Sequence, residues 1–222
     1  MAEAPAPAIE LLDISKRFGP RWAVSRVSYT LPIGTSLLLT GHNGSGKTTL
    51  LRMIATASFP TRGEVRVLGR STKEDRDEVR RDVALLSHAS FLYEDLTAEQ
   101  NLRLLCQLVG VPNGPEEVTA LLERVGLTAR SDSPARQFSA GMRKRLAIAR
   151  LLLKKPKLAL LDEPFGELDP AGILQMEGLI RELQAAGTTV VLATHLIEQG
   201  LSLTQARLHL ENGRIAESKE AA

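Results

Sequence analysis

Residues 36–51 read SLLLTGHNGSGKTTLL, and the rest of the chain can be understood from them outward. Ser36-Leu37-Leu38-Leu39-Thr40 is a short apolar run of the kind shown by a strand buried on both faces. Gly41-His42-Asn43-Gly44-Ser45-Gly46-Lys47-Thr48 then fits G-x-x-x-x-G-K-[ST] without a mismatch, and Thr49 continues into the helix. Glycines permit the backbone shape that aims successive N–H groups at one point. That point lies at the positive end of the following helix, where a phosphate is stabilised. The pattern assigns Lys47 to the β- and γ-phosphates of a nucleotide and the Thr48 hydroxyl to Mg²⁺. A glycine turn that merely precedes a lysine would not need the flanking strand and helix.

The whole chain sets bounds on this reading. Its 222 residues allow one large domain, or a domain carrying an inserted lobe. Hydrophobic residues make up 43%, enough for a full core, and the net charge of +2 is too weak to argue for a nucleic-acid partner. The single cysteine, Cys106, excludes an intramolecular disulfide and suggests a reducing compartment. It lies among Leu104, Leu105 and Leu108 and reads as a helix-core residue. The longest apolar stretches, such as Leu146 to Leu153, contain Arg150 and fall far short of the ~20 residues a membrane span needs. Work at a membrane would therefore need another chain to do the spanning. The start, MAEAPAPAIE, lacks the basic segment and apolar run of a secretory signal, and residues 1–8 read as a disordered lead.

Along the chain, Ile9 to Ile14 and Ala23 to Leu31 are predicted strands, with a turn over Ser15 to Trp22. In the second strand Val27, Tyr29 and Leu31 alternate with Arg26, Ser28 and Thr30, the period of a half-buried strand. Gly63 to Gly69 and Val83 to Leu86 read as further strands, separated by a charged helix over Glu74 to Asp82. From about residue 89 to 153 the texture is helical: Leu102, Leu105 and Leu108, then Val118, Leu121, Leu122 and Val125, then Met142, Leu146 and Leu152, each set on one face. Thr97 with Gln100 fits a capping box. Leu158 to Leu161 and Thr189 to Ala193 are buried strands, and Leu208 to Ile215 is a hairpin. Residues 9–217 thus form a single α/β domain, with a helical subdomain at about 89–153 inserted in a mostly parallel core sheet and a polar tail at 218–222.

Three more motifs narrow the chemistry. Leu158-Ala159-Leu160-Leu161-Asp162-Glu163 is an apolar strand ending in two carboxylates. Asp162 at the strand end suits a role around Mg²⁺, and Glu163 could polarise an attacking water as a general base. Phe138-Ser139-Ala140-Gly141-Met142 begins a helix, where Ser139 and the free N–H groups form a second anion site. Thr194-His195 follows a buried strand at the end where ligands bind in α/β sheets, so His195 could touch a γ-phosphate.

In this order and spacing the four motifs resemble the ATP-binding subunits of ABC transporters, from about Ile9 to Glu217. The resemblance implies a P-loop NTPase fold with an additional antiparallel β subdomain, and an ATPase using ATP and Mg²⁺. Phe18 matches the aromatic that stacks on adenine, Gly41 to Thr48 the Walker A loop, and Asp162 and Glu163 the end of Walker B. Gly166-Glu167-Leu168-Asp169 matches the D-loop, His195 the switch histidine, and Phe138 to Met142 the signature usually written Leu-Ser-Gly-Gly-Gln. Ala140 and Met142 depart from that signature. His88, in Leu85-Leu86-Ser87-His88-Ala89, stands where the family usually has a Gln that touches Mg²⁺ or the attacking water. An imidazole there would change charge near pH ~6.5.

The resemblance also implies partners: an integral membrane subunit, a second ATPase chain in an ATP-bound head-to-tail dimer, and a place on the cytoplasmic, inner face of the cell membrane. His88, with Leu96-Thr97-Ala98-Glu99-Gln100-Asn101-Leu102 after it, is similar to the haem exporter ATPases of cytochrome c maturation, although Ser87 and Ala89 depart from their pattern. Compact ATPase subunits of drug or lipid exporters are the other reading. A non-transport ABC ATPase is a third, but the chain lacks sustained heptads and a second cassette. Some of Phe91, Leu92 and Tyr93 are expected to be exposed, forming an apolar patch with an acidic rim at Glu94 and Asp95 for the membrane subunit.

Overall fold

The computed structural model describes residues 6–87, 91–110 and 115–219. His88 lies outside them, so its expected role receives no structural account. Ten strands follow in chain order among the described residues: β1 Ile9–Phe18, β2 Arg21–Leu31, β3 Leu37–Thr40, β4 Arg62–Val67, β5 Arg70–Ser71, β6 Val83–Leu86, β7 Leu158–Asp162, β8 Thr189–Ala193, β9 Ala206–Glu211 and β10 Arg214–Lys219. The α-helices are α1 Lys47–Ile54, α2 Arg76–Asp82, α3 Ala98–Val109, α4 Pro115–Arg124, α5 Ala140–Lys154, α6 Pro170–Ala185 and α7 Ile197–Leu203.

The strands form two sheets. One has the order β2-β1-β4-β5 and is antiparallel. The other has the order β10-β9-β3-β8-β7-β6, parallel from β9 to β6, with β10 antiparallel at its edge. The uninterrupted apolar runs of β3, β7 and β8 follow from burial on both faces. Leu38, Ala159, Leu161, Val190 and Leu192 join the core beneath α3, α4, α5 and α6. Leu37, Leu39, Leu158, Leu160 and Val191 join a second core with α1 and the antiparallel sheet. The parallel sheet is therefore the middle layer, and side chains alternate between its two cores with period two.

The helical segment α3–α5 falls between β6 and β7 in the chain. Thr97 closes the capping box on α3: its Oγ1 accepts from Gln100 N, and the Gln100 side chain accepts from Thr97 N. Cys106 is buried in this lobe with Leu102, but Leu108, expected on the same apolar face, is exposed.

Three further expectations need correction. The stretch Ser15 to Trp22 is not a turn: β1 continues to Phe18 and β2 begins at Arg21, leaving only Gly19 and Pro20 between them. Pairing of Arg17 with Trp22 and of Phe18 with Arg21, after shifts in register, extends the hairpin through residues that show no apolar alternation because both faces there meet solvent. The polar residue Ser218 belongs to β10, where it pairs with Leu208. Ala8, grouped by composition with the lead, is fully buried, and its N–H donates to Leu31 O at 2.8 Å.

Candidate functional site

The strand order β3-β8-β7 brings three strand ends side by side. Beyond β3 lies the Gly41–Gly46 loop, beyond β8 Thr194-His195, and beyond β7 Glu163. Carboxyl ends of parallel strands are where ligands settle in such sheets.

The loop depends on glycine at two points. Gly41 has φ +144°, and a Cβ there would fall 2.2 Å from Leu210 O. Gly46, at φ +109° just before α1, would place a Cβ 2.6 Å from Ala23 O. The loop is thus wedged between β2 and the β9–β10 turn, and Gly213 N donates to Ser45 O at 3.0 Å. The ammonium of Lys47 donates to Gly41 O at 2.7 Å and to His42 O at 3.1 Å. Ser45 Oγ is buried with no hydrogen-bond partner among the described residues.

A cleft of about 490 Å³ opens over this loop. Of the predicted residues, Phe18, Asn43, Gly44, Gly46, Lys47, Thr48, Thr49, Asp162 and Glu163 line it. Gly41, His42 and Ser45 belong to the same loop but do not line the cleft; the first two supply the carbonyls that hold Lys47. Asp162 is 2% exposed. Glu163 takes the left-handed backbone, φ +51°, and its N–H donates to Ala193 O at 2.8 Å. Its carboxylate lies 2.8 Å from His195 Nδ1 and accepts from His195 N at 3.3 Å. The two residues meet because β7 and β8 are neighbours.

No described group of three or more His, Cys, Asp or Glu residues is arranged to enclose a metal. The set at hand is one hydroxyl, Thr48, and one buried carboxylate, Asp162. It suits Mg²⁺, a hard cation that keeps waters and takes its other ligands from phosphate oxygens.

Arg21, Trp22 and Asn212 also line the cleft and were not anticipated. Trp22 is fixed by the guanidinium groups of Arg17 and Arg62, at 5.6 and 5.8 Å from its ring, and Phe18 by Lys16 at 5.2 Å. The tip of the β1–β2 hairpin carries Trp22 to the cleft, which no local pattern reveals. Asn212-Gly213 is visible as a turn, but not as a neighbour of the loop.

Ser139, Ala140, Gly141 and Met142 do not line this cleft. Ser139 caps α5, its Oγ accepting from Met142 N at 3.2 Å. Ala140 instead lines a separate 480 Å³ cleft with Leu86, Phe91, Leu92 and Glu94. Phe91 there is 59% exposed and Tyr93, nearby in the chain, 49%, while Leu92 packs against the core of the helical lobe. Glu94 and Asp95 are exposed beside them, and Asp95 pairs with Arg136 at 2.6 Å.

Comparison with known proteins adds the following. Residues 24–166 match the family described as ABC transporter. The cytochrome c biogenesis ATP-binding export protein CcmA of Nitrosococcus oceani is 36% identical over 195 residues, 88% of this chain and 89% of that protein. Its namesake in Pseudomonas putida is 40% identical over 175 residues, 79% of this chain and 83% of that protein. The Nod factor export ATP-binding protein I of Ralstonia nicotianae is 32% identical, covering 96% of this chain and 67% of that protein. Among solved structures, the dimeric post-hydrolysis state of the ATP-binding cassette MJ0796 bound to ADP and Pi superposes with a TM-score of 0.88 at 26% identity, over 96% of this chain and 99% of that one.

Proposed function

The chain belongs to the ABC transporter family and is an ATPase of that family; from this premise we propose that it powers an exporter whose membrane-spanning part is a separate chain. The observation that carries the catalytic assignment is the Glu163 carboxylate, held 2.8 Å from His195 at a cleft that Lys47 and Thr48 also line.

ATP lies with its phosphates over the amides of the Gly41–Gly46 loop and its adenine against Phe18. Lys47 turns its donors from the Gly41 and His42 carbonyls to the β- and γ-phosphates. Thr48 and Asp162 would hold Mg²⁺, which would supply positive charge against the phosphate oxygens. Glu163 takes the proton of the attacking water as general base, and His195 fixes that carboxylate.

Each nucleotide is completed by a second copy of the chain. Ser139, Ala140, Gly141 and Met142, with the free N–H groups at the start of α5, reach the γ-phosphate bound on the partner's loop. Their position outside their own chain's cleft supports this. Two copies then close head to tail about a two-fold axis over two ATP molecules. Glu163→Gln is expected to bind ATP and remain a stable dimer, measured by light scattering after size exclusion. A Glu163→Gln chain that stays monomeric with ATP at high concentration, while the wild type hydrolyses normally, would refute the shared site.

The cargo we assign is haem, for cytochrome c biogenesis. Relatives at 36% and 40% identity that are named for cytochrome c biogenesis export support it. The relative named for Nod factor export keeps a lipid or drug exporter as the second reading. No described helix is long and apolar enough to cross a membrane. Attachment to the inner face would come through the membrane subunit, seated at the exposed Phe91 and Tyr93. Co-purification with that subunit, followed by ATPase assays with haem and with lipid, tests the cargo. Stimulation by lipid and not by haem would overturn the assignment.

A further inference from the structure

Lys144 stands on α5 five residues after the Ser139 cap. It is only 6% exposed, and its ammonium donates to the main-chain oxygen of Glu163 at 2.6 Å. Burial pushes its pKa down, and the carboxylates of Glu167, Glu163 and Asp162 pull it back up. A buried cation is costly unless its charge is met and its donors are bonded; Lys144 is hydrogen-bonded to the residue that follows β7, in the field of the three carboxylates around it.

Glu163 needs such a brace. Its left-handed backbone, φ +51°, is costly for any residue with a Cβ. Its N–H is fixed by Ala193 O at 2.8 Å. Its carbonyl otherwise accepts only the longer bond from Gly166 N, 3.3 Å, among the described residues. Without Lys144 the peptide that follows Glu163 would rest on that long bond alone, and only the His195 contacts would remain to direct the carboxylate.

We infer that Lys144 is a positioning residue for ATP hydrolysis: its bond to the Glu163 carbonyl holds the general base in its left-handed conformation and ties it to the helix that begins with Ser139. This rests on Glu163 being the base. The tie also gives the helical lobe a direct mechanical connection to the hydrolytic centre, because a shift of α5 along its axis moves the Glu163 peptide.

The test is steady-state kinetics of the full chain with MgATP for wild type, Lys144→Met, Lys144→Gln and Glu163→Gln, with thermal unfolding alongside. Lys144→Met is expected to lower kcat at least tenfold, with KM for ATP within twofold and a melting temperature close to wild type. Lys144→Gln, which keeps an N–H donor, is expected to fall between the two. In a Glu163→Gln background, Lys144→Met should lower the residual rate no further. A kcat within twofold of wild type in Lys144→Met would overturn the inference. So would a rate loss matched by a rise in KM. If Lys144→Met fails to fold, Lys144→Gln decides, and a kcat equal to that of wild type would overturn the inference. Full turnover in Glu163→Gln would instead refute the base itself, a result distinct from failure of Lys144 alone.

Discussion

Removal of the Lys47 ammonium is the sharpest test of the phosphate site. In the structure it is bonded to two loop carbonyls, Gly41 O at 2.7 Å and His42 O at 3.1 Å. Neither residue is buried, so in Lys47→Ala both carbonyls turn to water. Net stability should then fall by only about 0.5–1.5 kcal/mol per lost bond. Binding suffers more. A charge-assisted bond to phosphate contributes about 1.5–3 kcal/mol, and each 1.4 kcal/mol is about a factor of ten. Losing one such bond should weaken ATP binding by roughly ten- to a hundredfold, with hydrolysis abolished. Lys47→Arg should not restore activity, because a planar guanidinium does not fit a loop that closes around a point charge. Calorimetric titration with a slowly hydrolysed ATP analogue gives the affinity, and thermal unfolding confirms the fold. A dissociation constant within twofold of wild type, with turnover intact, would refute the site.

His195→Ala should lower kcat while leaving ATP affinity within a few-fold, since His195 holds the Glu163 carboxylate and does not line the cleft; equal turnover in the two chains would contradict this. Gly46→Ala should cost both binding and stability, because its Cβ would meet Ala23 O at 2.6 Å; wild-type affinity in that variant would count against the loop geometry. Phe91→Glu should prevent co-purification with the membrane subunit and leave ATP binding unchanged. Leu146→Ala, fully buried in α5, should destabilise by about 2–5 kcal/mol, read from urea unfolding, and a loss below about 1 kcal/mol would mean that the helical lobe is loosely packed.

Local chemistry made part of this protein legible from sequence. The loop before α1 needs glycine where φ is positive and lysine where phosphate charge collects, so its pattern is written in adjacent residues. The same holds for the Thr97–Gln100 capping box, for the paired carboxylates at the end of β7 and for the apolar runs of strands buried on both faces. Helix α6, which is not among the predicted elements, also carries a start signal, with Asp169 as its cap and Pro170 as its first residue. What stayed hidden depended on strands meeting. The β1–β2 hairpin extends through polar residues because pairing holds it, and it delivers Trp22 to the cleft. His195 finds Glu163 only because β8 lies beside β7. Lys144 reads in the sequence as one cation in the basic run Arg143-Lys144-Arg145, which on a helix would ordinarily face water. Burial against the end of β7 turned it toward a carbonyl 19 residues away. Spacing along a chain fixes which residues share a turn or a helix face, whereas contacts between distant segments are set by the order in which strands pair and by which surfaces must leave water.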